Sequence, residues 1–334
     1  MKLLKALLSS ILIIAISLFL FELVGQKMLF KGQLYIVDNV DHRMPPNAED
    51  RINSDGIRSD REAVDFHADN LNIVFLGDSF VFGMKLPPEE SVPALLEKKA
   101  RALHPDKNVQ VANFGWVSSS PLLSYRLLKD IGKKYKPDVV ILAVDMTDIH
   151  DDIKYTALLE RQGIYPLLDY TPVSVLAARQ ILQNVGSDAV YEQVFGFPKQ
   201  RFFATARPLS ETRPYFAAIQ NSIDAINAYV QDELGAQFVL LIFPRGYQYS
   251  TRETPHNWEA AEYEPMGPYV LEPFVFFDAL KAQAPYPVFS LLPDFQHTDV
   301  FPTTFDDDPH WTPEGSQVAA DAVYRYCLQA GCFD

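Results

Sequence analysis

The feature that most narrows the folds open to this chain is the run Asn72-Ile73-Val74-Phe75-Leu76. Ile73 to Leu76 are apolar without a break, which reads as a strand buried on both faces, the habit of a parallel sheet. The run stops at Gly77-Asp78-Ser79, and Gly83 and Pro87-Pro88 follow before a helical pattern resumes. A serine just past the carboxyl end of such a strand stands in the crevice where open α/β sheets bind ligands. There its hydroxyl can meet a substrate and its backbone N–H can face a developing oxyanion.

The same grammar repeats downstream. Val92, Leu95, Leu96, Ala100 and Leu103 make a helical stripe,. Val109 to Gly115 is a second strand, Leu122 to Lys134 a helix and Pro137 to Val144 a third strand, strongly apolar after Asp138. Strand and helix alternating at these lengths imply parallel pairing with crossover helices. Gln237 to Pro244 and Pro287 to Leu292 extend the sheet to about five strands,. Residues 149–235 break the pattern with helical, aromatic segments interrupted at Pro172, Pro198 and Pro208, and read as a largely helical insert,. Thr312-Pro313-Glu314 opens the last helix, with Thr312 as N-cap, and Gly331 closes it,.

A serine hydroxyl needs a base, and the base needs a group to orient it. Asp307-Asp308-Pro309-His310-Trp311, just before that last helix, supplies both types. Asp307 and His310 stand three apart, so His310 is read as the base for Ser79 and Asp307 as its orienting carboxylate. Gly-Asp-Ser after the first strand together with Asp-x-x-His before the last helix resembles the SGNH (GDSL-type) hydrolase family, over roughly Asn72 to the C-terminus. The resemblance implies a three-layer α/β/α, flavodoxin-like fold, ester chemistry, and an oxyanion hole built from the serine N–H, a glycine N–H after the second strand and an asparagine side chain after the third. Here the second loop offers Gly115 and Ser118. The third reads Asp145-Met146-Thr147-Asp148, with Thr147 where the family has asparagine. A threonine hydroxyl is a shorter donor that can satisfy itself locally. The oxyanion candidates are therefore Ser79, Gly115, Ser118 and Thr147.

Ahead of the domain, Lys2 and Lys5 precede an uncharged apolar run from Ala6 to Phe21. No small-x-small cleavage site follows, so residues 1–25 read as an uncleaved membrane anchor in preference to a removed signal. Lys2 and Lys5 favour a cytoplasmic N-terminus, a single pass and an extracytoplasmic domain. Residues 26–70 read as a turn-rich arm, in which Arg51, Arg58 and Arg61 form a solvated face, and residues 71–334 as the catalytic domain. A net charge of −14 argues against nucleic acid as a partner,. Cys327 and Cys332, the two cysteines, form either a local disulfide or two buried thiols, and no Cys/His spacing suits a metal,. Asp145, Asp148, His150, Asp151 and Asp152 read as a solvated loop or helix N-terminus in preference to a cation site,. No cofactor motif is present.

The expectation is an anchored serine esterase or O-acyltransferase, with an ester substrate such as an acylated envelope carbohydrate. The alternative is a non-catalytic envelope protein on a hydrolase fold, favoured by the threonine at position 147. The residues do not name a protein partner.

Overall fold

The computed structural model describes residues 2–29, 35–36, 42–43, 45–160 and 181–334. The expected break at Pro172 lies outside them. The chain divides into two compact units, Met1–Met44 with Ala157–Lys199, and Pro45–Thr156 with Gln200–Asp334.

In the first unit, helix α1 (Lys2–Leu29) contains the apolar stretch Lys5–Val24, 20 residues with a mean hydropathy of 2.6, long and apolar enough to cross a membrane. Its side chains from Leu7 to Val24 stand exposed, except the half-buried Glu22. A two-residue antiparallel pair joins Tyr35–Ile36 to His42–Arg43.

The second unit is built on five parallel strands: β1 (Leu71–Gly77), β2 (Val109–Gly115), β3 (Val139–Val144), β4 (Gln237–Ile242) and β5 (Val288–Ser290). Their order is β2-β1-β3-β4-β5. Helices cover both faces, giving the parallel sheet that the strand pattern implied and the three-layer α/β/α architecture that the resemblance implied. Side chains alternate across a strand, so Ile73, Phe75, Val109, Val111, Val139, Ile141, Val239 and Leu241 share one face. They pack against Val92, Leu96 and Ala100 of α3 (Val92–Leu103) and against Ala319, Ala320 and Val323 of the C-terminal helix (Pro313–Ala330). The intervening residues, Val74, Leu76, Ala112, Phe114, Val140, Leu142, Phe238 and Leu240, are buried as well. This is why these strands lack a polar face in sequence. On that side α4 (Pro121–Ile131) packs with the helix Phe216–Tyr229.

The strand order reverses at β1: the chain leaves it for β2 on one side and returns to β3 on the other. The carboxyl ends of β1 and β3 therefore flank a crevice at the topological switch point, the usual ligand position in such sheets. Ser79 and the 145–148 loop lie at those two ends.

Two expectations change. Of the expected arm, residues 45–70 belong to the unit that carries the sheet. Asn53 Nδ2 donates to Tyr135 Oη at 2.9 Å, and the turn Asn53–Ile57 closes with a 3.0 Å backbone bond. Arg58 is not part of a solvated face: it is buried and donates to the carbonyls of Phe82, Gly83 and Leu86, each at 2.8 Å. As the serine turn ends, Gly83 O also accepts from Leu86 N at 3.1 Å and Phe82 O from Asn113 Nδ2 at 3.4 Å, and the guanidinium adds several donors in one plane,. Cys327 and Cys332 are two buried free thiols.

Candidate active site

Helix α2 (Ser79–Phe82) follows β1 directly. Asp78 is its N-cap: Oδ1 accepts from Phe80 N at 2.9 Å, which holds the turn that carries Ser79,. Gly83 ends the helix at φ 81°, a left-handed conformation that glycine adopts without a steric penalty,. The short helix lies so close to β2 that a Cβ on Gly115 would sit 2.2 Å from Phe82 N. The glycine is needed there for close packing.

His310 enters from the far end of the chain. Its loop leaves residue 303 and returns at residue 312, zipped by Phe305 N to His310 O at 3.0 Å and Thr312 N to Thr303 O at 2.9 Å. Trp311, buried between Phe80, Phe243 and Phe295 with ring centroids 4.9, 4.9 and 5.0 Å away, anchors the base of that loop. His310 packs on the Phe80 ring at 4.9 Å. His310 Nε2 is then 2.7 Å from Ser79 Oγ.

The carboxylate on the other ring nitrogen is Asp308, not Asp307. Asp308 Oδ1 lies 2.5 Å from His310 Nδ1 and also accepts from His310 N at 3.0 Å. The second bond closes a local turn that aims the carboxylate at the ring. Partial burial opposes the charge on Asp308, yet the hydrogen bond and charge of His310 hold it below the usual carboxylate range,. Asp307 points to solvent and pairs with Lys85 Nζ at 2.8 Å, a bond that holds its own carboxyl low.

The oxyanion candidates separate in the same way. Gly115 N donates to Asn113 Oδ1 at 2.9 Å, so it is spent inside its own loop. Thr147 Oγ1 donates its one proton to Asp145 Oδ1 at 2.6 Å. It also faces Arg201 Nη2 and Arg245 Nη1, both at 3.3 Å. The hydroxyl is buried and its proton is directed to Asp145. Ser118 adopts φ 58°, and its carbonyl accepts from Tyr155 Oη at 2.8 Å. Among the described residues, the N–H groups of Ser79 and Ser118 have no hydrogen-bond acceptor.

Several residues that support this site carried no signal in the sequence. Glu253 is buried and accepts from N and Oγ1 of Thr303 and of Thr304, which pins the histidine loop. Arg245 bridges Asp145, at 2.8 Å, and Glu259. Arg201 bridges Glu259, at 3.0 Å, and Asp151, at 2.9 Å, and Lys154 also contacts Asp151, at 2.5 Å. The acidic stretch after β3 is thus the start of α5 (Asp148–Leu159), one of the two expected readings; Asp145 and Asp151 are buried against Arg245 and Arg201, and Asp152 accepts from Ser222 Oγ at 2.6 Å and Leu122 N at 2.7 Å. These carboxylates are not a solvated loop.

No protein-family model matches the chain, and no curated protein matches it. Solved structures with a related fold include one described as a lipolytic protein of the G-D-S-L family from Desulfitobacterium hafniense DCB-2. It is 15% identical at a TM-score of 0.42, over 77% of this chain and 99% of that one. The esterase EstA from Pseudoalteromonas sp. is 14% identical at a TM-score of 0.42, over 78% and 98%. A two-domain esterase active on acetylated mannans is 11% identical at 0.43, over 79% of this chain and 50% of that one. At such identities and scores these likenesses carry no argument about activity, which rests on the geometry above.

Proposed function

We propose that this chain is a membrane-anchored serine ester hydrolase of the SGNH type. The observation that carries the reading is one line of contacts: Ser79 Oγ to His310 Nε2 at 2.7 Å, and His310 Nδ1 to Asp308 Oδ1 at 2.5 Å. An imidazole held on one nitrogen by a carboxylate can take the hydroxyl proton on the other.

Ser79 Oγ attacks the ester carbonyl while its proton passes to His310 Nε2. The tetrahedral oxyanion is met by the N–H groups of Ser79 and Ser118. His310 returns the proton to the departing alcohol, leaving an acyl-Ser79. An acceptor hydroxyl then repeats the sequence in reverse. Water as acceptor makes an esterase and an alcohol makes an O-acyltransferase. Asp308 stays ionised throughout and stabilises the imidazolium. Lys5–Val24 would hold the domain at a membrane, and an extracytoplasmic placement would put acylated envelope carbohydrate within reach. Trp258 supports a ring-bearing substrate: it is 65% exposed, while its chain neighbour Glu259 is tied to Arg245 and Arg201.

The test is covalent labelling of the full chain in detergent by a serine-directed fluorophosphonate, with turnover of short-chain aryl esters measured with and without sugar acceptors. Labelling at Ser79 that disappears in Ser79→Ala is expected. Folded protein that neither labels nor turns over ester would favour a non-catalytic envelope protein, a reading supported by the loss of Gly115 and Thr147 as oxyanion donors.

A further inference from the structure

Directly behind Ser79, the carboxyl groups of Asp78, Asp145 and Asp148 converge, one oxygen from each lying within 4.8 Å of the others. All three are buried. Around them stand Asp151 and Glu259 and the cations Arg201, Arg245 and Lys154. His150 Nδ1 faces Asp151 at 3.5 Å. Arg245 answers Asp145 and Glu259, Arg201 answers Glu259 and Asp151, and Lys154 answers Asp151. Three cations therefore compensate three carboxylates. Asp78 and Asp148 are left over, with no ion pair among the described residues. Asp148 Oδ2 accepts from Asp145 N at 2.9 Å, but Oδ1 is buried without a hydrogen-bond partner.

An uncompensated buried carboxylate pair is costly, and the charge can be removed by a cation or by protons. The donor set does not suit a cation. Asp145 Oδ1 already accepts from Thr147 N, Thr147 Oγ1 and Asp148 N, and Oδ2 accepts from Arg245. Asp78 Oδ1 is spent on the helix cap. Two carboxyl oxygens remain, whereas magnesium and calcium take about six or more oxygen ligands.

We propose that Asp78 and Asp148 form a protonated acid pair that positions Ser79 and keeps negative charge away from the oxyanion formed there. The inference rests on Ser79 being the nucleophile. A proton on Asp148 Oδ1 turns an orphaned acceptor into a donor facing the oxygens around it. A neutral Asp78 still accepts from Phe80 N, so the serine turn is held in either state. What changes on ionisation is the field: a buried anion one residue from the nucleophile opposes the charge that develops in the transition state. Burial and the charge on Asp145 push Asp78 up to about 8, against the pull of the Phe80 bond, Arg245 and Arg201. Burial, with Asp78 and Asp145 beside it, pushes Asp148 well above its ordinary range.

Two readouts on the full chain in detergent test this. Infrared spectra should show a protonated-carboxyl C=O band near pH 7 that weakens toward pH 9, a change absent from Asp78→Asn. The rate of fluorophosphonate labelling should fall about tenfold between about pH 7 and about pH 9 in the native chain. It should stay level in Asp78→Asn, whose side chain keeps the cap acceptor and cannot ionise. A native chain without the band near pH 7 overturns the proposal, as does an alkaline fall in labelling that persists in Asp78→Asn. If that variant does not fold, Asp148→Asn takes its place, and an undiminished band in it overturns the pair. A pH-sensitive band in a chain that labels at no pH supports the buried protons and strikes down only the nucleophile reading.

Discussion

Two groups of charged residues meet at the carboxyl ends of β1 and β3, and they are built in opposite ways. The line Ser79–His310–Asp308 is sparse. Each member touches the next, His310 is partly exposed, and both nitrogens of its ring are committed to one partner each. The network of Asp145, Arg245, Glu259, Arg201 and Asp151 is crowded, and its carboxylates are sealed from solvent. In the proposed reaction the first group passes a proton between Ser79 and His310. The second has its protons and charges locked in place, and its role is to fix the loop at 145–148. Thr147 lies in the crowded group, and for that reason its hydroxyl is unavailable for chemistry.

The sharpest way to break the comparison is to act on the sparse line. Ser79→Ala or His310→Ala should abolish ester turnover, and Asp308→Asn should lower it roughly 10³–10⁴-fold by favouring the wrong imidazole tautomer, all with unchanged melting behaviour. A loss of folding on the same scale would make this line structural too. The crowded group should respond in stability. Arg245→Met leaves Asp145 buried without its cation and Glu259 with Arg201 alone, and should cost about 3–5 kcal/mol in denaturant titration,. A fully stable variant would show that the network is not what holds the loop. Thr147→Val is a milder cut through the same group. It removes the bond to Asp145 and should cost about 1 kcal/mol while leaving turnover of the folded protein unchanged. A hundred-fold fall in turnover would return Thr147 to the oxyanion hole. Asp307→Ala is the control between the two groups: its solvent-exposed pair with Lys85 should leave turnover within about a factor of two, measured under the same conditions,.

Much of this site was legible because local patterns carry it. Ser79 follows a doubly buried strand, and a glycine-aspartate turn is needed to end that strand and start a helix. Thr312 and Pro313 mark the helix that His310 precedes, and Thr312 Oγ1 does accept from Gly315 N at 3.2 Å. Arg58, Glu253 and Arg245 were not legible. Each lies in an irregular segment with no periodicity, and each works on groups that the fold alone brings near.

The three consecutive aspartates 306, 307 and 308 show where the division falls. The sequence by itself determines that carboxylates cluster beside His310, that Pro309 keeps the segment out of a regular helix, and that a helix begins just after,. It does not say which carboxylate turns to the ring, because the three differ in nothing but position. In the structure Asp306 meets His256, 50 residues away, Asp307 meets Lys85, 222 residues away, and Asp308 meets His310, two residues away. A strand or a helix cap is decided by neighbours along the chain, within reach of its own backbone bonds. A side chain's partner is decided by which distant loops the sheet brings to the same edge, and only the folded chain specifies that.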